Sequence, residues 1–420
     1  MAAGRARRAI VIGAGPGGLA AALALRAAGL EVAVFERAAA IREVGSGLTL
    51  WPNATRALAC FGAAEAVRAV SLPLAGIEMR RWDGRVLSAL DGATLERLSG
   101  GSGTALHRAE LIEALWRLVG PEAVTFDARC NEVHDEGDAV TARFSDGREA
   151  RADLLVGADG IASSVRAHLF GPSRARFAGC VVWRGLASFD LQPRVGTTSL
   201  GRGAQFGLFP LSCQRTYWFA SLNAPRDRVF APREQRQMLL RAFGRWHPPI
   251  RAVLEATDDT AIVATDILEV APPRRWSVGR VTLLGDAAHP STPNLGQGAC
   301  QAFEDAAVLG RALREHAHVP TALRAYEAQR VRRANAMTAQ ARWMGRMGQW
   351  RGGLACWLRD QMILRTPAPL GRRNLRWMFD FDSAPLAAPG EAVGRAVAGA
   401  AGEDSNAREA VSAAVWEYRE

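Results

Sequence analysis

The chain of 420 residues has room for two or three domains, and its 49% hydrophobic and 22% charged residues are the balance of a protein with a substantial core, which excludes a disordered chain. The formal net charge is +10, carried by 52 cationic side chains that are all arginine. They are scattered and accompany no nucleic-acid motif, so the charge reads as compositional bias or as a field that draws in small anionic partners.

The first predicted element is the apolar run Ala9 to Ile12, a strand, followed by VIGAGPGG at residues 11–18. The N-terminal arginines precede this run as they would in a signal peptide, but the glycines interrupt it at once, so it is a first strand and not an export signal. Gly13, Gly15 and Gly18 supply the G-x-G-x-x-G spacing, with Pro16 and Gly17 between them, and Leu19 to Ala28 is an Ala/Leu-rich helix ended by Gly29. A second strand, Val32 to Phe35, finishes at Glu36, 23 residues after Gly13, where an acid accepts hydrogen bonds from an adenosine ribose. This βαβ unit suits a pyrophosphate, whose charge lies against the helix N–H groups and dipole.

Further along, a helix is predicted from Asn53 to Leu58 behind Pro52, and a β-hairpin over about 76–98 around an Asp-Gly turn. HRAELIEALWRLVG has the apolar spacing of a helix. Short strands follow at Val124 to Phe126, Asn131 to Val133 and Ala139 to Phe144, and ADLLVGADG is a buried parallel-type strand of the same sheet, ending in a turn. Residues 177–270 hold strand-like runs CVVWRGLASF, QFGLFPL and RTYWFASL, with helices over 233–246 and 248–256, and read as an antiparallel sheet walling a second domain. WSVGRVTLLGD returns to a buried strand, helices cover Gly298 to Glu315 and about 320–347, and the remainder from 348 is helical in part and frayed at its end.

The six cysteines contain no C-x-x-C pair and no metal-ligand spacing, which predicts reduced thiols in a cytoplasmic protein without a metal. No stretch approaches the ~18 uninterrupted apolar residues of a membrane span. In the loop Pro293-Asn294-Leu295-Gly296-Gln297-Gly298-Ala299 a helix begins, so unpaired N–H groups and a positive dipole end should point out of it, suited to the anionic end of a reduced flavin. The three glycine-centred signatures, VIGAGPGG, VGADG at 156–160 and LLGDAAHPSTPNLGQGA at 283–299, converge on one cofactor site, and FAD fits it best.

VIGAGPGGLAAALALRAAG with Glu36-Arg37, ADLLVGADGIASSVR and RVTLLGDAAHPSTPNLGQGACQAFEDA together resemble the single-component FAD-dependent aromatic hydroxylases related to para-hydroxybenzoate hydroxylase, over about residues 8–340. VGSGLTLWPNATRAL resembles their salicylate, 6-hydroxynicotinate and urate hydroxylase branch. The resemblance implies an α/β fold: a Rossmann-like FAD-binding domain with a parallel sheet (1–75, 100–176 and 271–347), interleaved with an antiparallel-sheet substrate domain (76–99 and 177–270), and a C-terminal helical region and tail (348–420). It implies that Glu36 binds the adenosine ribose, Arg37 lies over the adenine side, Arg108 reaches the phosphates or ribityl chain, and Asp286 beside Gly285 accepts from flavin hydroxyls. Gly47, Leu48, Val133, and Asp159 with Gly160 and Arg166 complete the cofactor set, the Asp159 segment also meeting a transient NADH or NADPH. His289 is expected to pack or hydrogen-bond.

The implied reaction uses NAD(P)H and O2 to hydroxylate an aromatic or heteroaromatic small molecule through a flavin C4a-hydroperoxide, with the protein positioning the ring and excluding water. No second G-x-G-x-x-G precedes a helix, so no separate nicotinamide domain is expected. The pocket wall is expected from the 180–220 sheet plus Leu48 to Leu50, nominating Trp183, Arg184, Gln205, Phe209, Tyr217 and Trp218. Period-two alternation puts Gln205, Gly207 and Phe209 on one face, and Tyr217 with Phe219 on one face of the next strand. Urate hydroxylases of this branch carry an arginine where Gln205 stands, so a planar substrate less acidic than urate is expected. An epoxidase, N-hydroxylase or oxidative decarboxylase of the same fold, or a non-oxygenating flavoprotein, stays open, as does the choice between monomer and homodimer.

Overall fold

A computed structural model describes residues 8–41, 46–226, 232–382 and 384–386, so the sequence expectation for the tail beyond 386 lies outside the described residues. The helices, in chain order, are α1 (Pro16–Ala27), α2 (Pro52–Cys60), α3 (Ala64–Ala69), α4 (Gly92–Ser99), α5 (Arg108–Val119) and α6 (Ser164–Phe170). They continue with α7 (Pro232–Phe243), α8 (Ile250–Glu255), α9 (Gly298–Glu315), α10 (Val319–Gly348), α11 (Gly353–Leu364) and α12 (Ala368–Phe379).

The βαβ unit seeds a six-stranded sheet in the order 277–278, 281–283, 154–157, 8–12, 31–35, 124–125. Its strands run parallel except the edge strand Ser277–Val278. Ile10 pairs with Ala33 on one side and Leu155 on the other, so the first strand is central and buried on both faces, as its unbroken apolar run requires. α1 is buried on nearly every side because it lies between this sheet and helices α5 and α9, and its alanines allow that close approach. Gly13 turns with φ +107°, and a β-carbon on Gly18 would stand 1.9 Å from the Gly13 carbonyl oxygen, so strand and helix meet at a distance only glycine permits.

A seven-stranded sheet, in the order 263–269, 176–187, 215–223, 204–211, 195–200, 76–81, 86–91, makes the second layer. All its pairings are antiparallel except 195–200 with 76–81. One face packs Trp183, Phe206, Leu208 and Trp218 against Leu239, Phe243, Val253 and Leu254 of α7 and α8. The other face turns towards the parallel sheet. Both sheets belong to one compact unit that ends at Leu386.

Two sequence expectations are corrected. The hairpin predicted to reach 98 stops at Asp91, whose carboxylate accepts from the Thr94 N–H at 2.7 Å and starts α4, which Gly100 ends in the left-handed conformation. The strands Cys130–Asp135 and Val140–Phe144 do not join the parallel sheet. With Glu149–Ala152 they form a separate antiparallel sheet, since tight turns connect them and no crossover exists to bring them parallel. All six cysteines are free, and no helix among the described residues is long and apolar enough to cross a membrane.

Candidate active site

Between the loops at the end of the parallel sheet and the inner face of the large sheet lies a cavity of about 1470 Å³. The first turn of α1 enters it with Gly15, Pro16 and Gly17, and the strand Gly47–Leu50 contributes Gly47 and Leu48. Arg108 arrives from the start of α5, and Gly285 and Asp286 from the turn after Val281–Leu283. Pro293, Gly296, Gly298 and Ala299 complete this side. Three signatures far apart in sequence therefore meet at one cavity, because each follows a strand of the same parallel sheet or opens a helix packed on it.

Backbone donors dominate this side. Neither α1 nor α9 has a side-chain cap at its N-terminus, so two free sets of N–H groups and two positive dipole ends face the cavity. A β-carbon on Gly15 would meet nothing within 4 Å, leaving the loop open to close approach. Glu36 does not line the cavity. Its carboxylate ties the glycine loop to the strand end, accepting from Ala14 N–H at 2.8 Å and Ala38 N–H at 2.9 Å, and each oxygen keeps acceptor capacity. An anionic dinucleotide fits this donor set.

Other expected residues stand behind the wall. Gly13 and Gly18 shape the loop, Arg37 is exposed beside it, and Val133 is buried in the separate antiparallel sheet. Asp159 accepts from Ser164 N–H at 2.7 Å and from its hydroxyl at 3.0 Å, fastening the start of α6, while its other oxygen is buried without a partner; Gly160 reaches the cavity. Arg166 bridges the turns after the strands 154–157 and 281–283, donating to the Ala287 carbonyl at 2.8 Å and to the Ile161 carbonyl. Gln297 points inward, where its carbonyl accepts from Asn53 at 3.0 Å.

Charged groups meet at the centre. Asp286 is open to the cavity yet enclosed by its walls, and that loss of bulk water pushes its carboxyl above the usual carboxylate range despite the pull of His289, Arg108 and Arg166. Desolvation lowers Arg108, which Asp286 partly offsets and Arg184 reinforces. Burial raises the Tyr217 phenol against the pull of Arg184 and Arg108, so Tyr217 is a neutral hydroxyl at ordinary pH and no base.

The opposite wall follows the alternation of the sheet. Arg184, Gln205, Phe209, Tyr217 and Phe219 line the cavity. Trp183 and Trp218, also nominated for the pocket, do not: each neighbours a cavity residue in sequence and so turns to the other face, where the Trp218 indole donates to Thr257 at 2.8 Å. Leu48 and Thr49 line the cavity while Leu50 turns into the core. Gln205 is buried, and its amide nitrogen has no protein partner. Gln349, from the end of α10, donates to Ser221 at 2.5 Å and leaves its amide oxygen likewise unpartnered.

Sequence reasoning missed a buried network beneath this site. Asp305 accepts from Gly285 N–H at 3.0 Å, bonds His289 Nε2 at 2.5 Å and pairs with Arg330 at 2.7 Å. Glu304 pairs with Arg330 at 2.5 Å and Arg333 at 2.7 Å and accepts from Asn53 at 2.7 Å. Burial would raise both carboxyls, but the surrounding cations more than offset it, holding Glu304 low and Asp305 down at about 2. His289 thus hydrogen-bonds, as expected. The available signal was two adjacent acids in an otherwise apolar stretch of α9, a pattern that demands buried partners.

The fold and this site define a group A flavin monooxygenase. The family model described as "FAD binding domain" matches residues 7–341, and the chain belongs to that family. It is 40% identical to the aurachin C monooxygenase/isomerase of Stigmatella aurantiaca over 84% of this chain and 93% of that protein. To the FAD-dependent urate hydroxylase of Klebsiella pneumoniae it is 36% identical, over 80% and 88% of the two chains. The crystal structure of Klebsiella pneumoniae HpxO with FAD and uric acid superposes with a TM-score of 0.83 at 31% identity, covering 89% of this chain and 96% of that one. The protein is an FAD-dependent monooxygenase, and FAD is its cofactor.

Proposed function

We propose that this enzyme uses NADH or NADPH and O2 to hydroxylate a planar, neutral aromatic or heteroaromatic molecule held between the flavin and the large sheet. Bound FAD, once reduced, supplies the oxygen-activating chemistry. In this reading the six-stranded sheet and its helices carry the cofactor, while 76–99 and 177–270 carry the substrate. Glu36 takes the adenosine ribose, the N-terminus of α1 the pyrophosphate, and Asp286 and Arg108 the ribityl end. The start of α9, at Gly298 and Ala299, has no side-chain cap, and its free N–H groups would hold the anionic edge of a reduced flavin without a side-chain acid. Phe209, Tyr217 and Phe219 hold the substrate ring and keep water out.

The observation that carries the substrate class is the pair of unpartnered amide groups in the wall, the nitrogen of Gln205 and the oxygen of Gln349. A buried donor and a buried acceptor favour a ligand with a carbonyl or ring nitrogen and an N–H or O–H, and neither demands an anion. The names of two relatives, one for urate and one for aurachin C, support a heteroaromatic ring, while the neutral charge rests on Gln205 and Gln349 alone.

A panel of phenols, aromatic acids and N-heterocycles tests this by NAD(P)H oxidation with matched oxygen uptake and product mass. The accepted compounds should be neutral heteroaromatics or phenols. A panel in which only carboxylates respond contradicts the reading. Gln205→Ala should keep full FAD content and raise KM a few-fold to about tenfold, the worth of one neutral hydrogen bond, or uncouple NAD(P)H oxidation from product. Unchanged KM and coupling remove Gln205 from the pocket.

A further inference from the structure

α11 is built inside out. Its inward face carries Cys356, Arg359 and Asp360, the guanidinium donating to the Gly201 carbonyl at 2.9 Å and pairing with Asp360 at 2.9 Å. Its outward face carries Leu354, Trp357, Leu358 and Met362, at the i, i+3, i+4 and i+8 spacing of one stripe, and these are 71%, 54%, 46% and 50% exposed. Trp343 on α10 and Leu370 and Trp377 on α12 are exposed as well. Four large apolar side chains exposed in one continuous stripe mark a contact with something apolar.

Charge says what that something is. Residues 343–379 hold seven arginines and one acid, Asp360, which the buried Arg359 neutralises. Arg365, Arg372, Arg373 and Arg376 are exposed and have no acidic partner among the described residues. Four of the chain's twelve tryptophans, at 343, 350, 357 and 377, lie in the same segment. An exposed tryptophan and leucine stripe on α11, followed in the chain by the arginine-rich α12, is the composition of a segment that lies in a bilayer interface. A two-fold contact with a second copy would set the patch against itself and bring arginines to arginines, which disfavours that occupant.

The position ties the patch to the cavity. Gln349, Trp350 and Arg351 line the cavity immediately before α11, and Gly371, Asn374 and Leu375 of α12 line it immediately after. We infer that α11 and α12 form a peripheral docking surface for an anionic phospholipid bilayer, with the cavity mouth bordered by the docked helices. An apolar aromatic ligand dissolved in the bilayer then has a short path to the site without crossing water.

The test is co-sedimentation of the full-length holoprotein with vesicles of equal parts phosphatidylglycerol and phosphatidylcholine, against phosphatidylcholine alone, with tryptophan emission read in parallel. The protein should pellet with the anionic vesicles, its emission shifting to the blue, and release at high salt. Trp357→Ser with Leu358→Ser should weaken vesicle affinity about tenfold or more while FAD content stays full. Arg372→Glu with Arg373→Glu should abolish the preference for phosphatidylglycerol. The inference is overturned if the parent stays in the supernatant, if both double variants bind as the parent does, or if the parent is a dimer that Trp357→Ser with Leu358→Ser turns into monomer.

Discussion

Arg330→Met is expected to lower the unfolding free energy of the protein by about 3–5 kcal/mol, the cost of removing one partner from a buried ion-pair network. Arg330 is the shared partner of Glu304 and Asp305, both fully enclosed, and also donates to Gln301 Oε1 at 2.8 Å. In the variant Arg333 and Asn53 still hold Glu304 and His289 still bonds Asp305 Oδ2, but the Asp305 Oδ1 that paired with Arg330 loses its cation. Against a typical total of ~5–15 kcal/mol the loss is large. It should also loosen the cofactor, since the Asp305 oxygen that accepts from Gly285 N–H holds the turn carrying Asp286. Urea unfolding of parent and variant, with FAD retention through gel filtration, checks both.

The same network predicts an acid limb. Asp305 titrates at about 2 in the fold against an ordinary 3.8, so its contribution is fully present above the ordinary value and is lost as pH falls through about 2. The parent's urea midpoint should therefore fall between about pH 4 and 2, and Arg330→Met should flatten that fall because Asp305 loses a charge that holds it ionised. A variant within about 1 kcal/mol of the parent, with an unchanged acid limb, would show that the network is dispensable.

What the sequence disclosed and withheld follows from the range of each interaction. The glycine loop, α1 and the strand ending at Glu36 are local, and their spacing alone determines turn, helix and face. Alternation along 204–211 and 215–223 likewise separated Gln205 and Phe209 from Phe206 and Leu208. The same rule, applied to Trp183 beside Arg184 and Trp218 beside Tyr217, excludes both tryptophans from the cavity, and only their aromatic chemistry argued for them. α4 escaped notice because its signal is one capping residue, Asp91, inside an apparent strand. The network of Asn53, Glu304, Asp305 and Arg330 was invisible because its members lie on α2, α9 and α10, up to 277 positions apart (330 − 53), and nothing in their local pattern names their partners. α11 lies in the stretch from 348 that its sequence marks only as helical in part, and it is the buried arginine that shows which face is turned inward.

Asp286→Ala separates the proposed cofactor role from any structural one, because the two push stability in opposite directions. Its carboxyl is raised in the fold by the enclosing walls, so the charged form costs stability at every pH above the ordinary carboxylate value. The apo variant should therefore melt at or above the parent temperature near neutrality, with the difference fading below about pH 4, where the carboxyl is protonated in folded and unfolded chains alike. Flavin binding should move the other way. A hydrogen bond from a flavin hydroxyl to a carboxylate is worth ~1.5–3 kcal/mol, so FAD affinity should fall about tenfold to over a hundredfold, and the purified variant should be pale. Asp286→Asn keeps the shape and an acceptor but loses the charge, and should fall between the two. Fluorescence titration of the apoproteins with FAD and melting of the same samples read both effects. Parent affinity in Asp286→Ala would remove the residue from the flavin site, and a lower apo melting temperature would make it a structural anchor for the turn between Leu283 and His289.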